Sequence, residues 1–292
     1  MRIGVAGLGK MGSAMAARLA EMGAPPTVWN RTRSRAEQTG LAVADTPRAL
    51  AESVDVIVTM LLDEAAVEAV YHGPHGILAA DLAGKLVVEM STLRPATQVA
   101  LAACVAERGG GAIECPVGGT TGPARTGKLL GLAGGDAADV ERARPVLDMM
   151  CHRVEHIGPH GAGASMKLAI NLPLLVFWQS FGEANALVRH LGLDPAWLVE
   201  LFSDTSGAPS VLKARGPAIA ATLGGTDPGV TTFDVDSIRK DLRTMLEEAA
   251  SRGVDLPVAA SALDCFTEAS GSGWGGRDCS WLPAFWAAKA QS

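Results

Sequence analysis

The sequence predicts an α/β protein, in which a doubly wound parallel sheet is followed by an all-α domain built around a long interdomain helix. Three observations carry this prediction. Glycines recur at fixed offsets directly after the first apolar segment, in "RIGVAGLGKMG". Valine-rich apolar segments then alternate with helical ones through the first half of the chain. The second half is strongly helix-forming.

The first element is a buried strand, a glycine turn and an amphipathic helix. Gly7, Gly9 and Gly12 have the spacing G-x-G-x-x-G. The first glycine permits a tight turn, the second lets the backbone approach a pyrophosphate, and the third lets the helix pack close to the strand. The helix N-terminus adds backbone amides and a positive dipole end. This context predicts a Rossmann-type dinucleotide site formed by Gly7, Leu8, Gly9, Lys10, Met11 and Gly12.

The second strand, "PTVWN", ends at the residue that selects the cofactor. Asn30 lies eighteen residues after Gly12, where an acidic side chain would hold the ribose hydroxyls of NAD, and Arg31, Thr32 and Arg33 follow it. A carboxylate repels a 2′-phosphate, whereas an amide with guanidinium and hydroxyl neighbours binds it. We therefore expect NADP, with NAD as a possible cofactor. The alternative interpretation is that these are ordinary surface arginines.

The next two strands, in "DVIVTMLLD" and "GKLVVEMST", each end in polar residues, at Leu62-Asp63 and Ser91-Thr92. Ligands of such sheets lie beyond the carboxyl ends of the strands. Leu62, Ser91 and Thr92 are therefore expected to line the cofactor.

The segment "HIGPHGAGAS" interrupts the pattern and predicts a boundary between residues 1–160, which bind the dinucleotide, and residues 161–292, which form an all-helical domain. A long helix is expected from about Ala164 to Leu191. Lys167 is the cation of its most apolar part, and Asn171 shares its face one turn later. Such a lysine either reaches water along its aliphatic stem or keeps its ammonium group in a pocket that uses it.

Two further helices are expected in the second half. One starts after Asp194 as N-cap with Pro195 at its first position, and "DVDSIRKDLRTMLEEAASRGV" forms another that stops at Gly253. In the latter, Asp236 can pair with Lys240, meet a substrate amine, or lie on a solvated face.

Composition and charge exclude several classes of protein. The 292 residues carry a net charge of −6 without a block of like charges, which argues against nucleic acid or an anionic membrane as partner. Five scattered cysteines without CxxC spacing indicate reduced thiols, and the N-terminus lacks the pattern of a signal peptide. The longest apolar run, residues 172–178, is too short to span a bilayer. We therefore expect a cytoplasmic protein.

Metal and hydrolase sites are not expected. His152, His156 and His160 lie near Cys151, but "HRVEHIG" is typical of a strand, where i, i+4 spacing does not bring side chains to one site. The sequence has no G-x-S-x-G and no H-E-x-x-H motif.

The ordered motifs resemble the β-hydroxyacid dehydrogenase family, typified by 3-hydroxyisobutyrate dehydrogenase, over nearly the whole chain. "GLGKMGSAMAARL" is similar to its cofactor signature, and "EMSTLRP" to its D-x-S-T-x-x-P loop near the nicotinamide. "ECPVGGTTGPARTGKL" resembles its substrate loop. "GPHGAGASMKLAIN" and "RKDLRTMLEEA" resemble the segments that carry its catalytic lysine and its K-D-L motif.

The resemblance implies an NAD(P)-dependent oxidoreductase that acts on a small 3-hydroxy acid or semialdehyde and assembles as a homodimer or homotetramer. It implies Lys167 as the general acid/base, Asn171 as the residue that places lysine and substrate, and Lys240 beside the cofactor. A partly desolvated lysine, whose pKa is lowered toward the working pH, can accept the hydroxyl proton as hydride departs.

The chain departs from the family pattern in its substrate loop. The usual Ser-Gly-Gly is Gly118-Gly119-Thr120, so Thr120 or Thr121 supplies the hydroxyl, or backbone amides hold a carboxylate alone. Glu114 stands where aspartate is usual. The bulky residues Pro173, Phe177, Trp178 and Phe181 follow Asn171, and core packing is their favoured interpretation.

Two alternative functions stay open. An imine or ketone reductase on the same scaffold is suggested by the altered substrate loop, although imine reductases of this fold commonly replace the lysine that Lys167 matches. A non-catalytic dinucleotide-binding protein is disfavoured by the intact Lys167–Asn171 pair. A decarboxylating sugar-phosphate dehydrogenase is disfavoured further, because the chain is short for that relative.

Overall fold

The computed structural model describes residues 1–229 and 231–289. The chain divides into two compact units, the first being Met1–Leu168 and the second beginning at Ala169. The division therefore lies inside a long helix rather than at the interruption before it.

The first unit is built on one sheet of eight strands. The strands are β1 (Ile3–Ala6), β2 (Thr27–Trp29), β3 (Val56–Thr59), β4 (Leu86–Glu89), β5 (Gly111–Glu114), β6 (Val117–Gly118), β7 (Leu129–Gly135) and β8 (Cys151–Gly158). Their order across the sheet is β2-β1-β3-β4-β5-β7-β6, and β8 pairs with β7.

The sheet is parallel from β2 to β5, as predicted, but β7 runs antiparallel to β5 and β6. Only Cys115 and Pro116 separate β5 from β6, so these strands continue in one direction and pair with successive parts of β7. The link from β6 to β7 is shorter than the crossover that a parallel pair requires, and the chain returns antiparallel. Strand β8 is again parallel to β7.

Apolar side chains are buried on both faces of this sheet. Val58 and Val88 belong to one core cluster, whereas their neighbours Ile57 and Val87 belong to the other. Successive strand residues point to opposite faces, so each run of apolar residues serves two layers of helices. The helices that begin in this unit are α1 (Lys10–Glu21), α2 (Arg33–Glu37), α3 (Pro47–Ser53), α4 (Glu64–Tyr71), α5 (Pro95–Glu107), α6 (Thr121–Arg125), α7 (Ala137–Met150) and α8 (Ala162–Val188).

The second unit is helical in its described residues, apart from one isolated bridge between Asp234 and Asp278. The predicted architecture of a Rossmann-type sheet followed by an all-α domain is thus confirmed. Besides the continuation of α8, the unit contains α9 (Pro195–Ser203), α10 (Ser210–Leu223), α11 (Val235–Ser251), α12 (Pro257–Ala269) and α13 (Leu282–Lys289), with short helical turns at Arg189–Leu191, Ser270–Trp274 and Cys279–Trp281.

Local sequence signals explain where these helices start and stop. The Asp194 carboxylate accepts a hydrogen bond from the Trp197 amide at 2.8 Å, so the predicted N-cap of α9 is confirmed. Helix α11 stops just before Gly253, whose φ of +68° lies in the left-handed region. The long helix α8 starts two residues earlier than expected, at Ala162, and its last predicted residues form a 3₁₀ turn.

The aromatic residues after Asn171 pack within the second unit. Trp178 and Phe181 are buried. Phe177 stacks on Phe181 with ring centroids 5.4 Å apart, and Phe202 meets Phe181 edge-on at 5.3 Å. These contacts agree with the core-packing interpretation.

The five cysteines are all free thiols. Among the helices that the structure describes, none combines the length and apolarity that crossing a bilayer requires.

Candidate active site

The glycine turn between β1 and α1 is held by two close backbone approaches. Gly7 has a φ of +95°, and a Cβ built on it would lie 2.4 Å from the Met60 carbonyl oxygen. A Cβ on Gly12 would lie 1.8 Å from the Gly7 carbonyl oxygen. Only glycine fits at either position, because both obstructing atoms belong to the backbone. Gly7 and Gly12 thus set the path of the turn.

Gly9 differs from these two glycines, because a Cβ built on it would meet no described atom within 4 Å apart from its immediate chain neighbours. It is the N-cap of α1, and no side chain caps that helix. The first turn of a helix leaves backbone amides without an intrahelical acceptor and carries the positive end of the dipole. Open space over such a terminus fits the pyrophosphate of a dinucleotide.

Asn30 ties the end of β2 to this turn. Its Oδ1 accepts a hydrogen bond from the Leu8 amide at 2.9 Å, and its Nδ2 donates to the Thr32 carbonyl oxygen at 3.0 Å. The Gly7 amide also donates to the Trp29 carbonyl oxygen at 2.9 Å. The side chain that was expected to select the cofactor therefore also fixes the glycine turn.

The two arginines after Asn30 have different surroundings. Arg33 donates to Glu37 at 2.8 Å and to Asp45 at 2.6 Å, so its charge is paired within the protein. Arg31 is exposed and forms no ion pair with the residues that the structure describes. Thr32 is the N-cap of α2, but its side chain makes no capping hydrogen bond. Arg31 is thus the arginine available to an anionic ligand.

The loops that follow β3 and β4 are fixed to each other. The Leu61 amide donates to Ser91 Oγ at 2.7 Å, and the Ser91 amide donates to Glu89 Oε1 at 2.8 Å. Glu89 Oε2 accepts from the Thr59 hydroxyl at 2.6 Å and from the Tyr71 hydroxyl at 3.1 Å. Burial raises the pKa of the Glu89 carboxyl.

These bonds give the predicted residues of the two loops different environments. Ser91 is fully buried and acts within the network, whereas Leu62 is 64% exposed. Thr92, the next residue after Ser91, is partly exposed. A ligand over this edge of the sheet would meet the exposed side chain of Leu62 and not the buried hydroxyl of Ser91.

The substrate-loop residues form a tight turn between β6 and α6. Gly118 ends β6, and Gly119 has a φ of +120° with the Pro123 side chain close by. Thr120 is the N-cap of α6, and its hydroxyl makes no capping hydrogen bond. The turn therefore offers the Thr120 hydroxyl two residues after Gly118.

Lys167 is buried in the first part of α8, with 7% of its surface exposed. An ammonium group that reached bulk water along its stem would leave the side chain far more accessible. The snorkelling interpretation therefore does not fit this residue. Burying an ammonium group is costly unless it is paired or hydrogen-bonded, so a buried lysine is a specific feature of this helix.

Asn171, Asp241 and Lys240 form a cluster in the second unit. Asn171 Nδ2 donates to Asp241 Oδ2 at 3.3 Å, and Lys240 Nζ donates to Asp241 Oδ1 at 3.0 Å. Asn171 and Asp241 are both about 5% exposed. Only the lysine of the K-D-L motif was predicted to belong to the site, whereas the aspartate of that motif joins the two predicted residues.

Asp236 does not pair with Lys240. Its carboxylate instead accepts from Arg239 at 2.7 Å and from the Ser270 hydroxyl at 2.7 Å. The reason is that the Lys240 ammonium lies on Asp241, the next residue in the chain. Of the three alternatives for Asp236, the pairing with Lys240 is therefore not formed.

The three histidines that follow Cys151 in the first unit lie within hydrogen-bonding distance of backbone carbonyl oxygens. His152 Nδ1 lies 3.0 Å from the Lys128 carbonyl oxygen, and His156 Nε2 lies 3.0 Å from that of Gly135. His160 Nε2 lies 2.9 Å from the Ala112 carbonyl oxygen. Within residues 1–229 and 231–289, no three histidine, cysteine or acidic side chains are grouped as metal ligands.

Two family models match the chain. Residues 2–158 match the NAD-binding domain of 6-phosphogluconate dehydrogenase, and residues 161–284 match the NAD-binding domain of NADP-dependent 3-hydroxyisobutyrate dehydrogenase.

Individual relatives cover nearly the whole chain. Glyoxylate/succinic semialdehyde reductase 1 of Arabidopsis thaliana is 31% identical over 96% of this chain and 96% of its own. The 3-hydroxyisobutyrate dehydrogenase of Pseudomonas aeruginosa is 33% identical over 89% of each chain. A solved structure, Mycobacterium tuberculosis 3-hydroxyisobutyrate dehydrogenase with L-serine, has a TM-score of 0.83 at 26% identity and covers 98% of this chain and 99% of its own.

Proposed function

Since this chain belongs to the β-hydroxyacid dehydrogenase family and is an NAD(P)-dependent oxidoreductase, we propose that it interconverts a small 3-hydroxy acid and its semialdehyde, with Lys167 as general acid/base. The observation that carries the proposal is the burial of Lys167 one helical turn before Asn171. Reduction of a short aldehyde that carries a carboxylate is also the chemistry named for the Arabidopsis relative.

The protein residues would supply proton transfer and orientation. The nicotinamide ring, when bound, takes up or delivers the hydride. In oxidation, Lys167 Nζ accepts the proton of the substrate hydroxyl; in reduction, the same ammonium group donates a proton to the developing alkoxide. Asn171, whose amide is held by Asp241, would orient the reacting oxygen, and Lys240 shares that carboxylate. The turn at Gly118, Gly119 and Thr120 would hold the substrate carboxylate through backbone amides and the threonine hydroxyl.

A substrate panel tests this proposal. Purified protein is mixed with NADPH or NADH and with short semialdehydes, cyclic imines and ketones, and oxidation of the cofactor is followed. We expect turnover with semialdehydes that carry a carboxylate. Turnover of cyclic imines without aldehydes would support an imine reductase instead, and tight cofactor binding without any turnover would support a non-catalytic protein.

We also propose that the chain prefers NADP and that Arg31 binds its 2′-phosphate. Arg31→Ala should weaken NADPH binding by roughly tenfold to a hundredfold, because charge-assisted hydrogen bonds to phosphate contribute ~1.5–3 kcal/mol. NADH affinity should hardly change. Dissociation constants for both cofactors, measured by fluorescence titration, check this expectation.

Arg33→Ala is the matched control for Arg31→Ala. Arg33 is also an exposed arginine after β2, but its guanidinium is paired with Glu37 and Asp45. Its loss should leave the ratio of the two affinities unchanged. An unmodified protein that binds NADPH and NADH equally, or an Arg31→Ala variant with an unchanged ratio, would contradict the preference.

We further propose a homodimer or homotetramer that acts in the cytoplasm. The assembly is suggested by the family resemblance of the helical domain, and the location by five free thiols, which persist in reducing compartments. Light scattering on the purified protein tests the assembly, and a monomeric mass at micromolar concentration would contradict it.

A further inference from the structure

The first turn of α8 lies against β7 at a place where two glycines meet. A Cβ built on Gly163 would lie 2.2 Å from the Leu132 carbonyl oxygen. A Cβ on Gly134 would lie 2.6 Å from Glu114 Oε1 and 3.0 Å from the Gly163 amide nitrogen. Because neither glycine has a side chain, one carboxylate fits between the sheet and the helix that carries Lys167.

That carboxylate belongs to Glu114, the last residue of β5, which is 1% exposed. Glu114 Oε2 accepts a hydrogen bond from the Gly161 amide at 2.7 Å, and Oε1 accepts from the Ala164 amide at 3.0 Å. A negative charge at a helix N-terminus is favoured by the dipole, and amide bonds to a carboxylate are strong. One side chain thus fixes both ends of the turn that opens α8.

The environment of Glu114 shows competing effects on its ionisation. Burial raises the pKa of its carboxyl, while the amide hydrogen bonds of Gly161 and Ala164 lower it, as does the positive charge that His160 can carry. His160 comes from the same loop and binds the Ala112 carbonyl oxygen of β5. The loop before α8 is therefore attached to β5 at two points.

We propose that Glu114 is a positioning residue for Lys167, because it fixes the N-terminal turn of α8 to the strand end from which the substrate loop departs. This inference rests on the proposed function, since it assigns a part in catalysis to Lys167. Lys167 follows Ala164 by three residues, less than one helical turn. A shift of the first turn would therefore carry the ammonium group with it.

A double-mutant cycle between Glu114 and Lys167 tests the proposal. Glu114→Gln keeps the size of the side chain but removes the charge that the two amides bind. At saturating cofactor it should lower kcat by roughly tenfold to a hundredfold, as misplacement of a catalytic group does. The dissociation constant for NADPH should stay within about twofold of the unmodified value, since the glycine turn is untouched.

The Lys167→Ala background distinguishes positioning from general damage. If Glu114 acts through Lys167, adding Glu114→Gln to Lys167→Ala should cost less than about twofold in the residual single-turnover rate. If the two losses multiply, Glu114 acts elsewhere and the inference is wrong. Near-normal kcat in the Glu114→Gln variant alone would also overturn it.

Two further variants keep the result interpretable. Asp136 caps α7, because its carboxylate accepts a hydrogen bond from the Ala138 amide at 2.8 Å. Asp136→Ala should therefore lower the stability of the protein without changing kcat. Glu114→Asp keeps the charge, should retain more activity than Glu114→Gln, and replaces it in the cycle if that variant does not fold. Normal turnover of Lys167→Ala would refute the role proposed for Lys167, and this inference with it. If the activity of Lys167→Ala collapses but the two losses multiply in the double variant, only the inference on Glu114 is wrong.

Discussion

Lys167→Ala should lower the rate of hydride transfer by ~10²–10⁴-fold, the usual contribution of a general acid/base. The substitution removes the proton donor and acceptor but leaves the glycine turn of the first unit intact. Cofactor affinity should therefore hardly change, so the loss appears in kcat. In the oxidative direction, the substitution removes the group that would accept the substrate hydroxyl proton. Steady-state kinetics over a range of pH, with cofactor titrations, check both expectations.

Three companion variants sharpen the test of Lys167. Lys167→Arg should also fail, because a guanidinium group stays protonated and cannot act as the base. Asn171→Ala should do less damage, since it orients the reaction without carrying the proton. Lys213→Ala is the control: this helix lysine is exposed and paired with Asp204, so its loss should leave kcat unchanged. Near-normal turnover of Lys167→Ala would show that the buried lysine is not catalytic, and Lys240 would be the next candidate.

Gly12→Ala and Gly9→Ala should fail in different ways although both lie in one motif. A Cβ on Gly12 would lie 1.8 Å from the Gly7 carbonyl oxygen, so the turn or the helix must move. We expect a loss of at least ~3 kcal/mol in the free energy of unfolding, at the severe end of overpacking. The variant should show a sharply lower melting temperature or fail to accumulate as folded protein.

Gly9→Ala places its methyl group in open space and should fold as the unmodified protein does. If the pyrophosphate passes over Gly9, the same methyl group obstructs it. Overpacking of ~1–3 kcal/mol corresponds to roughly a fivefold to a hundredfold loss of cofactor affinity. Thermal unfolding and cofactor titration of both variants separate the two effects. A Gly9→Ala protein that binds cofactor normally would refute the placement of the pyrophosphate at the start of α1.

The sequence alone was sufficient to predict the elements that depend on residues close together in the chain. The glycine spacing, the doubly buried strands and the Asp194 cap each depend on residues close in the chain, and the structure has all three. The family assigned from the ordered motifs is also confirmed by the matching models and relatives. The direction of β7 was not predicted, because it depends on the length of the link from β6 rather than on the pattern of the strand itself.

The hydrogen-bond and ion-pair partners of the site residues could not be predicted from the sequence. Asp241 lies in a motif that was recognised, yet its contact with Asn171 joins positions seventy residues apart. Arg31 and Arg33 look equivalent in the chain, and the structure shows that only the second is paired, with Glu37 and Asp45. Glu114 was noted as one methylene longer than usual, but its amide partners come from the loop before α8. Such contacts depend on tertiary structure and leave little trace in a single sequence.

The two hydrogen bonds of Asn30 restrict how the coenzyme preference of this protein can be redesigned. An aspartate at this position would still accept from the Leu8 amide, but its second oxygen would face the Thr32 carbonyl oxygen, where an amide now donates. Two acceptor oxygens at the present 3.0 Å separation of Asn30 Nδ2 and the Thr32 carbonyl oxygen repel each other. The exchange to aspartate would therefore loosen the glycine turn and weaken the binding of both coenzymes. If Asn30 selects the coenzyme, as the sequence predicts, position 30 couples that selection to the integrity of the turn. Among the described residues, no hydrogen bond joins the exposed Arg31 to the turn. A programme to convert the coenzyme usage of this scaffold should therefore vary residue 31 first and keep the asparagine.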